Sequence, residues 1–271
     1  MSKDSLQKDF VLLIPSSRNL PHVTKLKFYK QKDYTITVKQ INENTLIGVQ
    51  RYKSGACYKG YFNLNLDKDG FGLFQKGKSF CYGIFNEGKL NGLGVERFED
   101  GSIYEGEFEN GKKKGIGKYL MKNGKQYIGY WTNNSFDGLG EYHFTKEKYF
   151  IGNFSKNKMN GFGFYIYPTM KYFSNYKNDI KHGISICYDI LSEKISIVIY
   201  ENGIKNGPYK EISNKGEDKV MMLINGIEQK VNCSMLGRLM DSFTTEDNAI
   251  DYWFSLSYQE LISIFSDVSN N

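Results

Sequence analysis

Tyr127-Ile-Gly-Tyr-Trp-Thr-Asn-Asn-Ser-Phe-Asp-Gly-Leu-Gly-Glu-Tyr-His-Phe144 is the stretch on which the reading of this chain turns. The glycine of its opening Tyr-x-Gly recurs at Gly60, Gly83, Gly106, Gly129 and Gly152, a constant step of 23 residues. Two further columns keep the same step of 23: Gly92, Gly115, Gly138 and Gly161, then Gly94, Gly117, Gly140 and Gly163. Three glycine columns in register define a tandem repeat, so each unit is one supersecondary element that buries its apolar face only against its neighbours.

Outward from that block, well-formed units are expected at about 58–80, 81–103, 104–126, 127–149 and 150–172. The first carries one extra residue before Gly70, and the second has Cys81 where the others have tyrosine or phenylalanine. A worn unit is read over 35–57, with Thr37 in place of the first glycine and Leu46 in place of the second. Beyond 172 the pattern frays: Asn175 falls where the next glycine should be, and Gly183 comes one residue early. Tyr200 to Gly207 repeats the Phe85 to Gly92 pattern, and Lys219 to Gln229 is a last remnant.

Within one unit, Tyr104, Gly106 and Phe108 share one face of a strand while Glu105 and Glu107 share the other. Asn110-Gly111 is a hairpin-turn pair, and Gly115, Gly117 and Tyr119 line one face of the return strand. Glycine weakens a strand, so several per unit imply that rings of neighbouring strands lie flat on bare backbone. The expected fold is mainly β: an elongated antiparallel hairpin ribbon with a short helical tail. Three segments follow: 1–34 with short strands at Phe10–Ile14 and 25–29, the ribbon over 35–230, and an acidic helical tail at 231–271. In the tail Leu236, Leu239, Met240 and Phe243 have helical spacing, and Thr244 to Asp247 resembles a capping box leading to Ile250, Trp253 and Phe254. Ser257 to Glu260 is a proper capping box, opening a helix with Tyr258, Leu261, Ile262, Phe265 and Val268 on one stripe.

The formal charge of +6 divides into −6 over residues 240–271 and +12 over the rest, a distribution that speaks of association rather than fold. Four cysteines without metal-ligand spacing give neither a disulfide framework nor a zinc site. No run reaches transmembrane length and Phe10–Ile14 is too short for a signal-peptide core, so a cytosolic chain is expected. The Gly-x-Gly pairs lack the following Lys-Ser/Thr of a phosphate loop. His22, His143 and His182 lack the partners of a metal or catalytic site. The expectation is therefore no enzyme, no cofactor and no metal. Lys112, Lys113 and Lys114 read either as a solvated turn or as a contact for an acidic protein surface or anionic lipid. Nucleic acid is not expected, because the aromatics recur at the repeat step and packing accounts for them. Trp253, Phe254, Leu261 and Phe265 are the tail's candidate contacts, with packing inside the chain the expected use of the stripe.

The unit Tyr-x-Gly-x-Phe/Trp, then Asn-Gly, then Gly-x-Gly resembles the membrane occupation and recognition nexus (MORN) repeat. Tyr58-Lys-Gly60-Tyr-Phe62, Tyr104-Glu-Gly106-Glu-Phe108 and Tyr127-Ile-Gly129-Tyr-Trp131 carry the resemblance, with Gly83 and Phe85, and Gly152 and Phe154, repeating it. The resemblance implies a non-catalytic scaffold or adaptor joining other proteins, most often in a cytoskeletal assembly such as a ciliary axoneme or basal body. A peripheral module for anionic phospholipid is the alternative, and homodimerisation stays open. The Lys, Asn, Ile, Tyr and Phe bias fits an AT-rich protist genome.

Overall fold

The computed structural model describes residues 26–216, 218–229, 253 and 256–266. Phe10–Ile14, His22, Cys233, the helical spacing at Leu236 to Phe243, the capping box at Thr244 to Asp247, Ile250, Phe254 and Val268 lie outside them. The chain divides into two compact units, Met1–Lys122 and Asn123–Asn271. The first holds β1 Lys27–Lys30, β2 Tyr34–Asn42, β3 Thr45–Tyr52, β4 Cys57–Phe62, β5 Lys68–Lys76, β6 Ser79–Asn86, β7 Lys89–Arg97, β8 Ile103–Glu109 and β9 Lys112–Leu120. The second holds β10 Gln126–Thr132, β11 Ser135–His143, β12 Tyr149–Ser155, β13 Lys158–Ile166, β14 Met170–Lys177, β15 Ile180–Asp189, β16 Lys194–Glu201, β17 Ile204–Ser213, β18 Asp218–Ile224 and β19 Ile227–Gln229, then α1 Tyr258–Ser266. Within each unit every strand pairs antiparallel with the next, so each is an open meander of hairpins, as the mainly β expectation required.

Two rules repeat along both meanders. The first-column glycine faces the third-column glycine: Gly60 opposite Gly72, Gly83 opposite Gly94, Gly106 opposite Gly117, Gly129 opposite Gly140, Gly152 opposite Gly163. One residue later the register shifts, so that Tyr61, Ile84, Glu107 and Tyr130 bulge out before Phe62, Phe85, Phe108 and Trp131 rejoin the ladder. The hairpin turns then close with two residues of positive φ, as at Asn110 (51°) and Gly111 (78°), or Lys156 (49°) and Asn157 (69°). That is the turn whose twist matches paired strands, and asparagine tolerates it where glycine is absent.

The facing glycines are where the aromatic column is built. A Cβ on Gly72 would come within 2.2 Å of the Tyr58 hydroxyl oxygen, one on Gly117 within 2.4 Å of that of Tyr104, and one on Gly140 within 2.4 Å of that of Tyr127. Each ring lies across its own hairpin's bare backbone, and Tyr58, Tyr104, Tyr127 and Phe150 are fully buried there. The hydroxyl then donates to the carbonyl of the bulged residue: Tyr58 to Tyr61 at 3.0 Å, Tyr104 to Glu107 at 3.0 Å, Tyr127 to Tyr130 at 2.9 Å. Successive hairpins are also stapled at their turns. The Gly111 N–H donates to the Leu90 carbonyl at 2.8 Å, and the Asn157 N–H to the Phe136 carbonyl at 3.0 Å. A side chain reinforces the second staple, the Asn157 Oδ1 accepting the Phe136 N–H at 2.8 Å.

Register corrects the residue counting at both frayed ends. Val38, not Thr37, faces Gly48, and Ile36 takes the ring's place in the core. Leu46 does hold the second glycine's position, opposite Phe62. Ser174, not Asn175, stands in the first-glycine column, facing Ser185. The extra residue of the first unit is absorbed in the loop after Phe62, where the Asn63 carboxamide oxygen accepts the N–H groups of Asn65 (3.0 Å) and Asp67 (2.9 Å).

Helix α1 starts at the expected capping box. Ser257 N–H and Oγ–H both donate to the Glu260 carboxylate, at 2.7 Å and 2.6 Å. Leu261 and Phe265 are buried against Ile184, Ile186, Ile195, Ile197, Ile199 and Ile212 of β15–β17. Lys171 donates to the Phe265 carbonyl at 3.3 Å, placing a cation at the helix C-terminus.

Gly140→Ala is expected to destabilise the protein by about 1–3 kcal/mol, the usual range for forcing a methyl into a packed site. Because the clash is with one ring, the same change in a Tyr127→Ala background is expected to cost much less. Chemical denaturation of the four members of this cycle measures the coupling.

Candidate binding surface

The inner face of each unit carries the rings. In the first unit the Tyr58 ring meets Phe62 and Phe85 edge-on, each at 5.1 Å, and Tyr104 meets Phe108 at 5.1 Å. In the second, Tyr127 contacts Trp131 at 5.5 Å and Phe154 at 5.2 Å, and stacks on Phe136 at 3.8 Å. Tyr58 and Tyr127 thus sit between the Phe or Trp of their own hairpin and the Phe of the next, in the edge-to-face geometry aromatic quadrupoles favour. Burial pushes the Tyr58, Tyr104 and Tyr127 phenols well above their ordinary value.

Opposite Phe62, Phe108 and Tyr176 the ladder places Lys68, Lys113 and Lys181. Their ammonium groups lie on rings rather than in open solvent. Lys68 is 5.1–5.4 Å from the centroids of Tyr52, Tyr58 and Phe74, Lys113 is 4.6 Å from Phe98, and Lys181 is 3.7 Å from Tyr172. Lys113 also pairs with Glu96 at 3.3 Å. Beside Lys181 the glycine pair is replaced by Ser174 and Ser185, whose hydroxyls bond each other at 2.6 Å. A cleft of about 280 Å³ opens there, lined by Tyr165, Tyr167, Tyr172, Tyr176 and Lys181. Burial in this nest, assisted by the charge of Lys205 and opposed by Cys187, brings the Lys181 ammonium down to about 8.

The outer face is different. The residue between the two return-strand glycines is apolar in every well-formed unit and points away from the rings. Leu93 (67% exposed) and Ile116 (53%) form this row in the first unit, with Ile84 (46%) beside it. Leu139 (59%) and Phe162 (42%) form it in the second. Further along that face of the second unit, the β15–β17 isoleucines are covered by α1, with the Phe265 ring 6.3 Å from Phe164 and Trp253 6.0 Å from Phe173.

The residues expected to make contacts fare unevenly. Strand alternation splits the lysine run: Lys113 turns inward to the rings, while Lys112 and Lys114 face out and Lys114 pairs with Glu109 at 2.7 Å. The three lysines therefore do not present one surface. Leu261 and Phe265 are spent within the chain, because their stripe matches the isoleucine face of β15–β17, and Trp253 is half-buried beside them. His143 stacks on Tyr149 and pairs with Glu141 at 2.6 Å, while the His182 Nδ1 accepts the Asn202 N–H at 3.4 Å in a turn staple. Among the described residues no group of three or more His, Cys, Asp or Glu is placed to hold a metal, and no helix is long and apolar enough to cross a membrane. Residue counting missed the outer row, although its signal was present: the x of Gly-x-Gly is always Leu, Ile or Phe from Leu93 to Phe162.

Facing glycines under a ring, a bulge and a tight turn, repeated at a fixed step, define a tandem β-hairpin repeat protein. The model of the MORN repeat family matches residues 81–103, 104–126, 127–147 and 150–169, so the chain carries four MORN repeats. MORN repeats are a non-catalytic module that engages proteins or membrane lipid. No curated protein matches the chain. One similar solved structure is the SAS-4 (dCPAP) TCP domain in complex with a proline-rich motif of Ana2 (dSTIL) of Drosophila melanogaster. It is 13% identical with a TM-score of 0.32, over 59% of this chain and 97% of that one, a likeness that carries no argument.

The Lys181 nest gives stability a measurable pH dependence. Its folded value of about 8 lies below the ordinary 10.5, so between these limits the unfolded chain binds more protons and stability rises with pH. The buried phenols act oppositely above their ordinary 10.0, where unfolded tyrosines ionise first. The difference in urea midpoint between wild type and Lys181→Met is therefore expected to shift in favour of the wild type as pH rises from 8 to about 9.5, the thiols and phenols cancelling in the comparison.

Proposed function

We propose that the protein is a scaffold that joins other proteins in a large assembly, using the outer face of its repeats as the docking surface. The observation that carries this reading is the apolar row at Leu93 and Ile116 in the first unit and Leu139 and Phe162 in the second. Exposed apolar side chains repeated at a fixed step form a patch that a soluble monomer ordinarily avoids. The second unit supplies the precedent for what such a face takes: the amphipathic helix α1 lies on it. Helix-in-groove docking by a partner uses the same physics. A cytoplasmic, cytoskeletal setting, with a ciliary axoneme or basal body foremost, rests on the family resemblance.

Attachment to anionic lipid is the second reading, favoured by the +12 charge outside the acidic tail. The inward turn of Lys113 and the pairing of Lys114 reduce the free positive charge at the turn where that reading concentrated it.

Crosslinking mass spectrometry of the full chain in its native extract is expected to map partner crosslinks beside Leu93 and Ile116. Leu93→Asp with Ile116→Asp is expected to reduce them at least tenfold while leaving the fold's circular dichroism unchanged. Flotation with phosphatidylserine vesicles is expected to recover little protein even at low salt, where electrostatic attachment is strongest. Strong low-salt flotation together with unchanged crosslinks in the double variant would transfer the assignment to the membrane reading.

A further inference from the structure

The aromatic column has one gap. Cys81 stands where Tyr58, Tyr104 and Tyr127 lay their rings, yet the facing glycines and flanking phenylalanines of a ring site are retained. Gly83 and Gly94 face each other across the hairpin, as the other first- and third-column glycines do. A Cβ on Gly94 would meet no column ring; its nearest side-chain neighbour is the edge of Phe108 at 3.3 Å. The two phenylalanines that should flank a ring here, Phe85 and Phe108, instead line a cleft of about 270 Å³, together with Phe74, Leu90 and Cys81. The register shift between Gly83 and Phe85 is retained as well, which puts Ile84 in the position of Tyr61, Glu107 and Tyr130. In those three hairpins the bulged carbonyl accepts a phenol hydroxyl; Cys81 has none to offer Ile84.

We propose that this slot receives the side chain of a tyrosine carried by a partner protein. The ring would enter the cleft beside Cys81 between Phe85 and Phe108, with its hydroxyl directed towards the Ile84 carbonyl. The occupant is specified by the sister hairpins, which hold that group in that place. Charge narrows it further. Of the two charged residues lining the cleft, Glu96 is already paired with Lys113 at 3.3 Å. Lys68 makes no ion pair with a carboxylate among the described residues and lies on the rings of Tyr52, Tyr58 and Phe74. A tyrosine flanked by Asp or Glu therefore suits the slot better than one flanked by Lys or Arg. Burial, with Glu96 adding to it, raises the Cys81 thiol to about 11, so at neutral pH it is an uncharged floor.

This inference rests on the scaffold reading and names one partner side chain for it. The test uses the full chain with p-cresol, the tyrosine side chain itself, and toluene as its hydroxyl-free counterpart. Saturation-transfer NMR is expected to show p-cresol bound at millimolar concentration and toluene at least fivefold more weakly. Alkylation of Cys81 by iodoacetamide, followed by mass spectrometry, is expected to slow with p-cresol while alkylation of Cys57 does not. Cys81→Tyr supplies the ring from within: it is expected to raise the melting temperature and abolish p-cresol binding, whereas Cys81→Ala keeps the binding. A lower melting temperature or misfolding in Cys81→Tyr, or p-cresol binding equally well to it, overturns the proposal. So does a partner that crosslinks equally to wild type and Cys81→Tyr, an outcome that leaves the scaffold reading standing.

Discussion

Everything in this protein depends on a ring being able to lie directly on peptide backbone. Away from the strands that α1 covers, the sheet has no described second layer to supply a core, and its interior must come from side chains folded down onto its own strands. Two facing glycines remove both Cβ atoms from the ladder, and Tyr58, Tyr104 and Tyr127 occupy the space left. The entropic penalty of glycine in a strand is thus offset by burying a whole aromatic side chain per hairpin. The hydroxyl adds a second constraint: the bulge exposes one carbonyl, and the phenol that reaches over the glycines ends at that carbonyl. Phe150 keeps the ring without the hydroxyl and is just as buried, so packing defines the position and the hydrogen bond refines it.

Where the glycine pair is lost, the column changes character rather than ending. Ser174 and Ser185 put two hydroxyls where backbone lay bare, and Lys181 comes to lie on the Tyr172 ring above them. Where the ring is lost and the glycines kept, as at Cys81, a cleft is left instead. The two clefts are therefore opposite departures from one rule. Both arise within the same face that carries the core, which is why departures there produce concave sites instead of surface variation.

The hairpin architecture was legible in the glycine columns because glycine at a fixed step has a direct mechanical cause. The capping box of α1 was legible too, since Ser257 and Glu260 act across three residues and need no tertiary context. Counting in steps of 23 failed at Thr37 and Asn175 because a loop one residue shorter or longer displaces every later column while the ladder re-registers around it. The inward lysines escaped for another reason. Lys68, Lys113 and Lys181 share their repeat position irregularly with Leu90, Phe136 and Met159, so no charge pattern marks them. Only the rings beneath explain how a lysine stem and an aliphatic side chain can share that place. The outer row of Leu93, Ile116, Leu139 and Phe162 was visible as letters but not as a surface, because its meaning depends on which face the tyrosines take.

Helix α1 has a consequence for how the chain is made. All the hairpin contacts within a unit join segments adjacent in sequence, so they form as soon as each hairpin is complete, with little loop-closure entropy. The helix is the exception, returning from residues 258–266 to the isoleucines of β15–β17. During synthesis those isoleucines leave the ribosome well before the segment that covers them. For that interval the nascent protein displays a β-branched, uncharged strand face, the kind of surface on which chains associate wrongly. That face is shielded only once the last described turns of the polypeptide have packed on it.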